Sequence, residues 1–473
     1  MLRRPRGPGR ARGPADPGRW AGWCAAALDG RPESVTALLA HLRAADRAAQ
    51  SRTHDRAAAV DAVAAAPARL LLLLDRYARP RAPATGPAGP LHLLLTSLDA
   101  DGRVREQAVV GLASTGGPLA AALLALRTAD HVPEVGARAA AALALRTAPD
   151  EVAAAVPVLL GLGRRVRGGA ALAAYRAVLA EPPHRRAVRA LAVAADPDTR
   201  RFGVELALDL GEYVRGDLLR AALYDRDQVC RRLCAQRLLE IDPEQAGPLL
   251  GAGGAGVREL AVAALPGDVP AKRLVPLLAD RARMVRAQAR WQLYQRGEPP
   301  AGVYRRELEK ALAGKAGVRT RLLAGLVAGL GECGETADAA LLARLLGDGR
   351  PAVRRAAARA LTRIARAEDL PPLLGPLAND PDPGVAREVF EGLARAPHGV
   401  LPETLWIGRT RTEPAVRSLA ARIEERQRAA RAAAPAAGDV SGTSGASAPG
   451  GAGAPAASAG AGAQRAQSGH SPR

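Results

Sequence analysis

The chain has 473 residues, 48% hydrophobic but only 3% aromatic, with a formal net charge of +20 and four cysteines. So few cysteines in so long a chain, with no C-x-x-C pair, exclude a disulfide framework and give no support for a metal site. The longest leucine run, Leu70 to Leu74, is far short of the roughly 20 apolar residues that cross a bilayer.

Residues 1–19 are rich in Arg, Pro and Gly and read as a disordered basic arm; no apolar stretch of signal-peptide length follows, so a cytoplasmic protein is expected. Residues 20–79 contain helical segments, Pro32 to Ala49 and Ala68 to Arg79, that follow no repeat phrase. They are expected to form an N-terminal helical cap. PRAPATGPAGP, residues 80–90, is a Pro-rich linker. Residues 429–473, dominated by Ala, Gly, Ser and Pro, are expected to be a disordered tail.

Residues 91–428 repeat one phrase about every 31 residues: an Asp-containing turn, Val-Arg, then a small-residue helix ending in Leu. Taking the valine as anchor, the equivalent positions are Val104, Val135, Val166, Thr199, Val229, Val257, Val285, Val318, Val353, Val385 and Val416. A hairpin this short cannot bury its apolar face alone, so about eleven units must stack into an all-α solenoid. Ala108, Ala139, Ala289 and Ala357 follow the anchor by four, and Leu112, Leu143, Leu293 and Leu361 by eight, which defines one buried helical face. Pro157, Pro248, Pro276 and Pro376 fall nine before the anchor, so the first helix is expected to be short, kinked or restarted there. Asp sits five before the anchor at Asp99, Asp130, Asp280, Asp348 and Asp380, where it can cap the second helix or meet a guanidinium. Asp99 with Arg105, Asp280 with Arg286, and Asp348 with Arg354 offer both partners within one unit, and repeated along the stack such pairs would form a ladder between neighbours.

Pro in the first helix, Asp in the turn and Val-Arg opening the second helix resemble HEAT repeats, specifically the short HEAT-like class first associated with phycobiliprotein lyases. The Pro lies one turn nearer the anchor than in that family's pattern, and the units at Val166, Val229 and Val257 lack the Asp. The resemblance implies a solenoid whose second helices line the concave wall. Positions two, six and nine after the anchor would then face outward. In mid-array these read Leu172, Tyr175, Leu208, Leu238, Trp291, Tyr294 and Val327, with Arg201, Arg231, Arg355, Arg359 and Arg387 beside them. An apolar strip flanked by Arg suits a protein or peptide partner carrying hydrophobic anchors and acidic groups.

Other readings are weaker. The charge invites nucleic acid or another polyanion. However, the basic residues are almost all Arg and spread along the chain, and six Arg against one Asp in residues 1–19 put five of the twenty net charges in the arm. The di-iron hydroxylases of this repeat superfamily use His-Glu pairs, and no histidine here precedes a glutamate. Cys230 and Cys234, four apart, read as small buried residues. GAGGAG, residues 251–256, follows no strand and lacks the Lys-Ser/Thr ending of a phosphate loop. No catalytic residues or cofactor are therefore assigned. The reading is a non-enzymatic protein-binding scaffold, with a polyanion binder second and a lyase-like enzyme third.

Overall fold

The dominance of Ala and Leu, strong helix formers without β-branching, produces helices throughout. The computed structural model describes residues 17–47, 53–78, 89–163, 165, 167–314 and 319–433, and among these it contains helices and no strand. Most of the linker, nearly all of the basic arm and most of the Ala/Gly/Ser/Pro tail lie outside the described residues, as do Val166 and Val318; Pro90, read as the linker's last residue, opens the first helix of the array. The first helix already begins at Pro17, inside the stretch read as the arm, and the last runs on to Ala433.

Four helices, Pro17–Ala27, Pro32–Arg47, Thr53–Ala65 and Arg69–Tyr77, precede the hairpins. They pack on the first helices of the first three hairpins, and Leu70, Leu71 and Leu74 of the fourth helix are buried. Asp75 adds ion pairs to Arg127 and to Arg165, the latter at 2.7 Å. Eleven helical hairpins follow among the described residues. Their second helices are Gly102–Ser114, Pro133–Ala144, Gly168–Leu179, Pro197–Asp209, Gln228–Ile241, Ala255–Ala263, Arg283–Tyr294, Thr320–Cys333, Pro351–Ile364, Pro383–Leu393 and Pro414–Ala433. Five of these start with Pro, which lacks the N–H that a helix start leaves unpaired in any case.

The proline expectation holds in part. Pro248 sits in a four-residue helix and Pro376 in a 3₁₀ turn, but Pro157 and Pro276 lie inside continuous helices. Among the described residues no single helix is long and apolar enough to cross a membrane.

The anchors Val135, Val257, Val285, Val353, Val385 and Val416 are buried, as are Leu143, Leu293, Leu361 and Leu393 eight residues after four of them, each Leu contributing about 1.5–3 kcal/mol. Small residues let helices approach closely. A Cβ on Gly331 would stand 2.4 Å from the Cβ of Ala360 on the next second helix, and one on Gly325 2.1 Å from the carbonyl oxygen of Ala279.

The ladder runs between neighbouring hairpins as expected, but the acid that each Arg grips belongs to the next turn and not to its own. Arg105 donates from Nη1 to the carbonyl of Asp99 in its own turn (2.9 Å), and from Nε and Nη2 to both carboxylate oxygens of Asp130 in the next (2.9 and 2.8 Å). Arg258 grips Asp280 in the same way (2.8 and 2.8 Å), as Arg354 does Asp380 (2.7 and 2.9 Å). The in-unit partner of Arg286 and Arg354 is thus the carbonyl of Asp280 or Asp348, a correction to the expected pairing. The carboxylate of this Asp does not cap the helix. It accepts from the N–H two residues on, as Asp130 does from Val132 (3.0 Å) and Asp380 from Asp382 (2.9 Å). Capping falls to other aspartates, Asp101, Asp196, Asp227 and Asp382.

Where a carboxylate is missing from the turn, another can replace it. Residues 314–319, ahead of Thr320–Cys333, include no Asp or Glu, and Arg286 instead pairs with Glu332 at the far end of that helix. Glu332 also takes Arg290 at 2.7 Å and lies 3.8 Å from Arg363. Burial alone would raise its carboxyl, but hydrogen bonds from Arg286 and Arg290 hold it below the usual range.

Candidate binding face

The exposed side of the second helices is where the sequence put the partner. In Arg283–Tyr294 the buried stripe is Val285, Arg286, Ala289 and Leu293, as the spacing requires. Trp291 and Tyr294 project away from it, 52% and 67% exposed, and stack with ring centroids 5.9 Å apart and planes inclined by 22°. Two turns earlier on the same helix, Met284 is also exposed. The three form an apolar patch on a helix whose packing is complete without them.

The rest of the strip does not hold together, and the reason is register. In Gln228–Ile241 the buried residues are Cys230, Cys234, Ala235, Leu238 and Leu239, whereas Val229 is exposed. The anchor is therefore Cys230, one residue later than expected. This moves Leu238 onto the core leucine position and makes Arg231 the ladder arginine, donating to the carbonyl of Asp225 at 2.6 Å. Asp225 then stands five before the anchor, so this unit does carry the Asp that the Val229 register denied it.

In Gly168–Leu179 the stripe is Tyr175 and Leu179, with Ala171 in the anchor place, so Tyr175 fills the seam where other units have Ala. Burial pushes its phenol well above the usual tyrosine range. Leu172 is half-buried against the same core. In Thr320–Cys333, Leu323, Val327 and Leu330 are all buried. Tyr175, Leu238 and Val327 are thus core residues and not groove residues.

Leu208 is half-buried and borders a depression of about 300 Å³ with Arg176, Glu205, Asp209, Leu233, Gln236, Arg237 and Glu240. Four of its charged residues pair with one another, Arg176 with Asp209 at 2.5 Å and Arg237 with Glu240 at 3.7 Å.

The flanking arginines are mostly engaged. Arg201 binds Asp227, the N-cap of the next second helix, at 2.8 Å, and its guanidinium holds the Asp227 carboxyl down at about 2. Arg359 makes a two-point pair with Glu388, and Arg387 pairs with Glu391 at 2.8 Å. Arg355 is exposed and reaches over Gly384, in the first turn of the next second helix. Other arginines bind carbonyls at helix ends, as Arg146 does at Leu112, Ala113 and Thr115, and Arg296 at Pro266 and Gly267. Much of the Arg excess is therefore taken up inside the stack.

Cys230 and Cys234 are buried, which pushes both thiols up to about 12. Sequence reasoning missed two features. One is the Glu332 cluster, which only stacking assembles. The other is an apolar cleft of about 800 Å³ lined by Leu71, Leu72, Leu119, Ala122, Pro157 and Val158 among others, formed where the N-terminal helices meet the hairpins.

The family model described as HEAT repeats matches residues 307–394, in the second half of the array. No curated protein matches the chain. Solved structures similar to it include an engineered protein (16% identity, covering 87% of this chain and 95% of that one, TM-score 0.22). Kap121p is similar at 13% identity over 86% of this chain, TM-score 0.32, and the chain spans 56% of its length. A chain of the full-length AP-3 complex in an intermediate open conformation is similar at 11% identity, covering 88% of this chain and 93% of that one, TM-score 0.36.

Proposed function

We propose that this chain is a non-enzymatic binding scaffold, holding a protein or peptide partner against the exposed face of its second helices at Trp291 and Tyr294. The stacked aromatic pair carries the reading. Two large rings left half-exposed or more, beside an exposed methionine, have no structural task on their own helix. Aromatic anchors of this kind dominate interface energies, at about 2 kcal/mol or more each when buried by a partner. Within the HEAT repeats, the short period and the Asp-turn, Val-Arg phrase favour the short HEAT-like class. A polyanion partner is less well supported, because so many guanidinium groups already bind carboxylates and carbonyls of the same chain.

The test is site-specific photocrosslinking from benzoylphenylalanine placed at position 291, with position 193, where Val193 is 74% exposed, as control. A polypeptide adduct at 291 that survives nuclease and is absent at 193 is expected. Equal labelling at both sites, or adducts that vanish with nuclease, would overturn the proposal.

A further inference from the structure

The Arg–Asp ladder lacks a carboxylate at Arg231. With Cys230 as anchor, Arg231 stands where Arg105, Arg258 and Arg354 stand, and its Nη1 makes the same bond to the carbonyl six residues back. The other edge of the guanidinium, Nε and Nη2, is the edge that grips Asp130, Asp280 and Asp380 in those rungs. Here the corresponding residue of the next hairpin is Ala252. Among the described residues no side chain replaces it, in contrast to Glu332 beside Arg286. Nε of Arg231 is shut off from solvent and has no hydrogen-bond partner.

The surroundings suit an anion. The turn Gly251–Ala252–Gly253–Gly254 contains no acid. Its carbonyls already accept from Arg258, at Ala252 (2.7 Å) and Gly253 (3.1 Å), and from Arg281, at Gly253 (2.9 Å). Position 254 corresponds to Val132, Ala282 and Asp382, whose N–H groups donate to the ladder carboxylate. Gly254 lies directly against this edge, since a Cβ there would stand 3.4 Å from Nε and 3.9 Å from Nη2 of Arg231. The helix that follows, Ala255–Ala263, has no side-chain cap, and Arg232 reaches its first turn, where a Cβ on Gly256 would stand 3.4 Å from Nη1. The nearest acid to Arg232, Glu259, is 3.9 Å away.

We propose that Arg231 and the Gly251–Gly254 turn form a binding site for the carboxylate of an Asp or Glu side chain on an acidic peptide segment, which completes the rung in trans. A planar two-oxygen group matches the Nε–Nη2 edge, as Asp130 does on Arg105. This site is separate from the aromatic face and does not depend on it.

The test is anisotropy of a fluorescein-labelled hexa-aspartate peptide at 0.15 M salt, on the full chain. Ala252→Asp supplies the missing carboxylate from within, so it should raise the melting temperature and weaken the peptide at least ~10-fold. Arg231→Gln should weaken it similarly, and the stabilised A252D variant keeps the test valid if R231Q folds poorly. W291S/Y294S should leave the affinity unchanged, which separates failure here from failure of the aromatic face. Unchanged affinity in A252D, no saturable binding by the wild type, or inorganic phosphate competing as well as free glutamate would overturn the proposal.

Discussion

Replacing Asp130 with Ala removes the centre of the most buried rung. Its carboxylate accepts from Arg105 twice (2.9 and 2.8 Å), from Arg127 (3.0 Å) and from the Val132 N–H (3.0 Å), with side-chain exposures of 3% for Arg105 and 1% for Asp130. Breaking a buried pair by deleting one partner costs about 3–5 kcal/mol, because the remaining charge is left desolvated. Arg105 retains the carbonyls of Asp99 and Ala100, and Arg127 retains Asp75, so the lower end, about 3 kcal/mol, is expected. Asp348→Ala is the control. That carboxylate binds the half-exposed Arg350 of its own turn and carries no rung, so it should cost below about 1 kcal/mol. Urea unfolding followed by circular dichroism measures both. Equal losses, or a loss under about 1 kcal/mol for Asp130→Ala, would refute an inter-hairpin ladder.

Other outcomes follow from the same contacts. Burial alone would raise the Asp130 carboxyl, but Arg105, the Val132 N–H and Arg127 hold it below the usual range, and Arg201 holds Asp227 down at about 2. Carboxyls depressed on folding stabilise the native state above their unfolded pKa of roughly 4, and this stability is lost as pH falls through the folded values. Melting temperature should therefore fall steeply below pH ~4, and less steeply in Asp227→Asn; an unchanged acid limb in that variant would contradict the pairing. Gly331→Ala should cost about 1–3 kcal/mol, since its Cβ would meet Ala360 at 2.4 Å, and a neutral result would mean that the two helices are further apart. Native Cys230 and Cys234 should resist iodoacetamide at pH 8 and react only after unfolding; labelling of the folded chain would place them at the surface.

The hairpin array was legible because stacking forces each unit to repeat its buried stripe. Register was less secure where the phrase is imitated: Val229 precedes Cys230-Arg231 and so resembles an anchor, yet the helix turns Cys230 inward. The same one-residue shift carried Leu238 and Arg231 from the supposed groove into the core and the ladder. At Tyr175 the displacement is five residues, because the helix starts at Gly168 and not at Val166. Trp291 and Tyr294 came out on the surface because their unit keeps Val285, Ala289 and Leu293 in strict spacing. The partners of the arginines were not legible, since Arg105 finds Asp130 and Arg286 finds Glu332 only once neighbouring hairpins are stacked.

The most direct test of the central claim is the affinity of the crosslinked partner, once isolated, for the wild type and for Trp291→Ser/Tyr294→Ser across a salt series, after a melting curve of each. The double variant should melt within a few degrees of the wild type and bind at least ~100-fold more weakly at every salt concentration. Affinity that is indifferent to the two aromatics but falls steeply with salt would instead identify a polyanion binder and contradict the account.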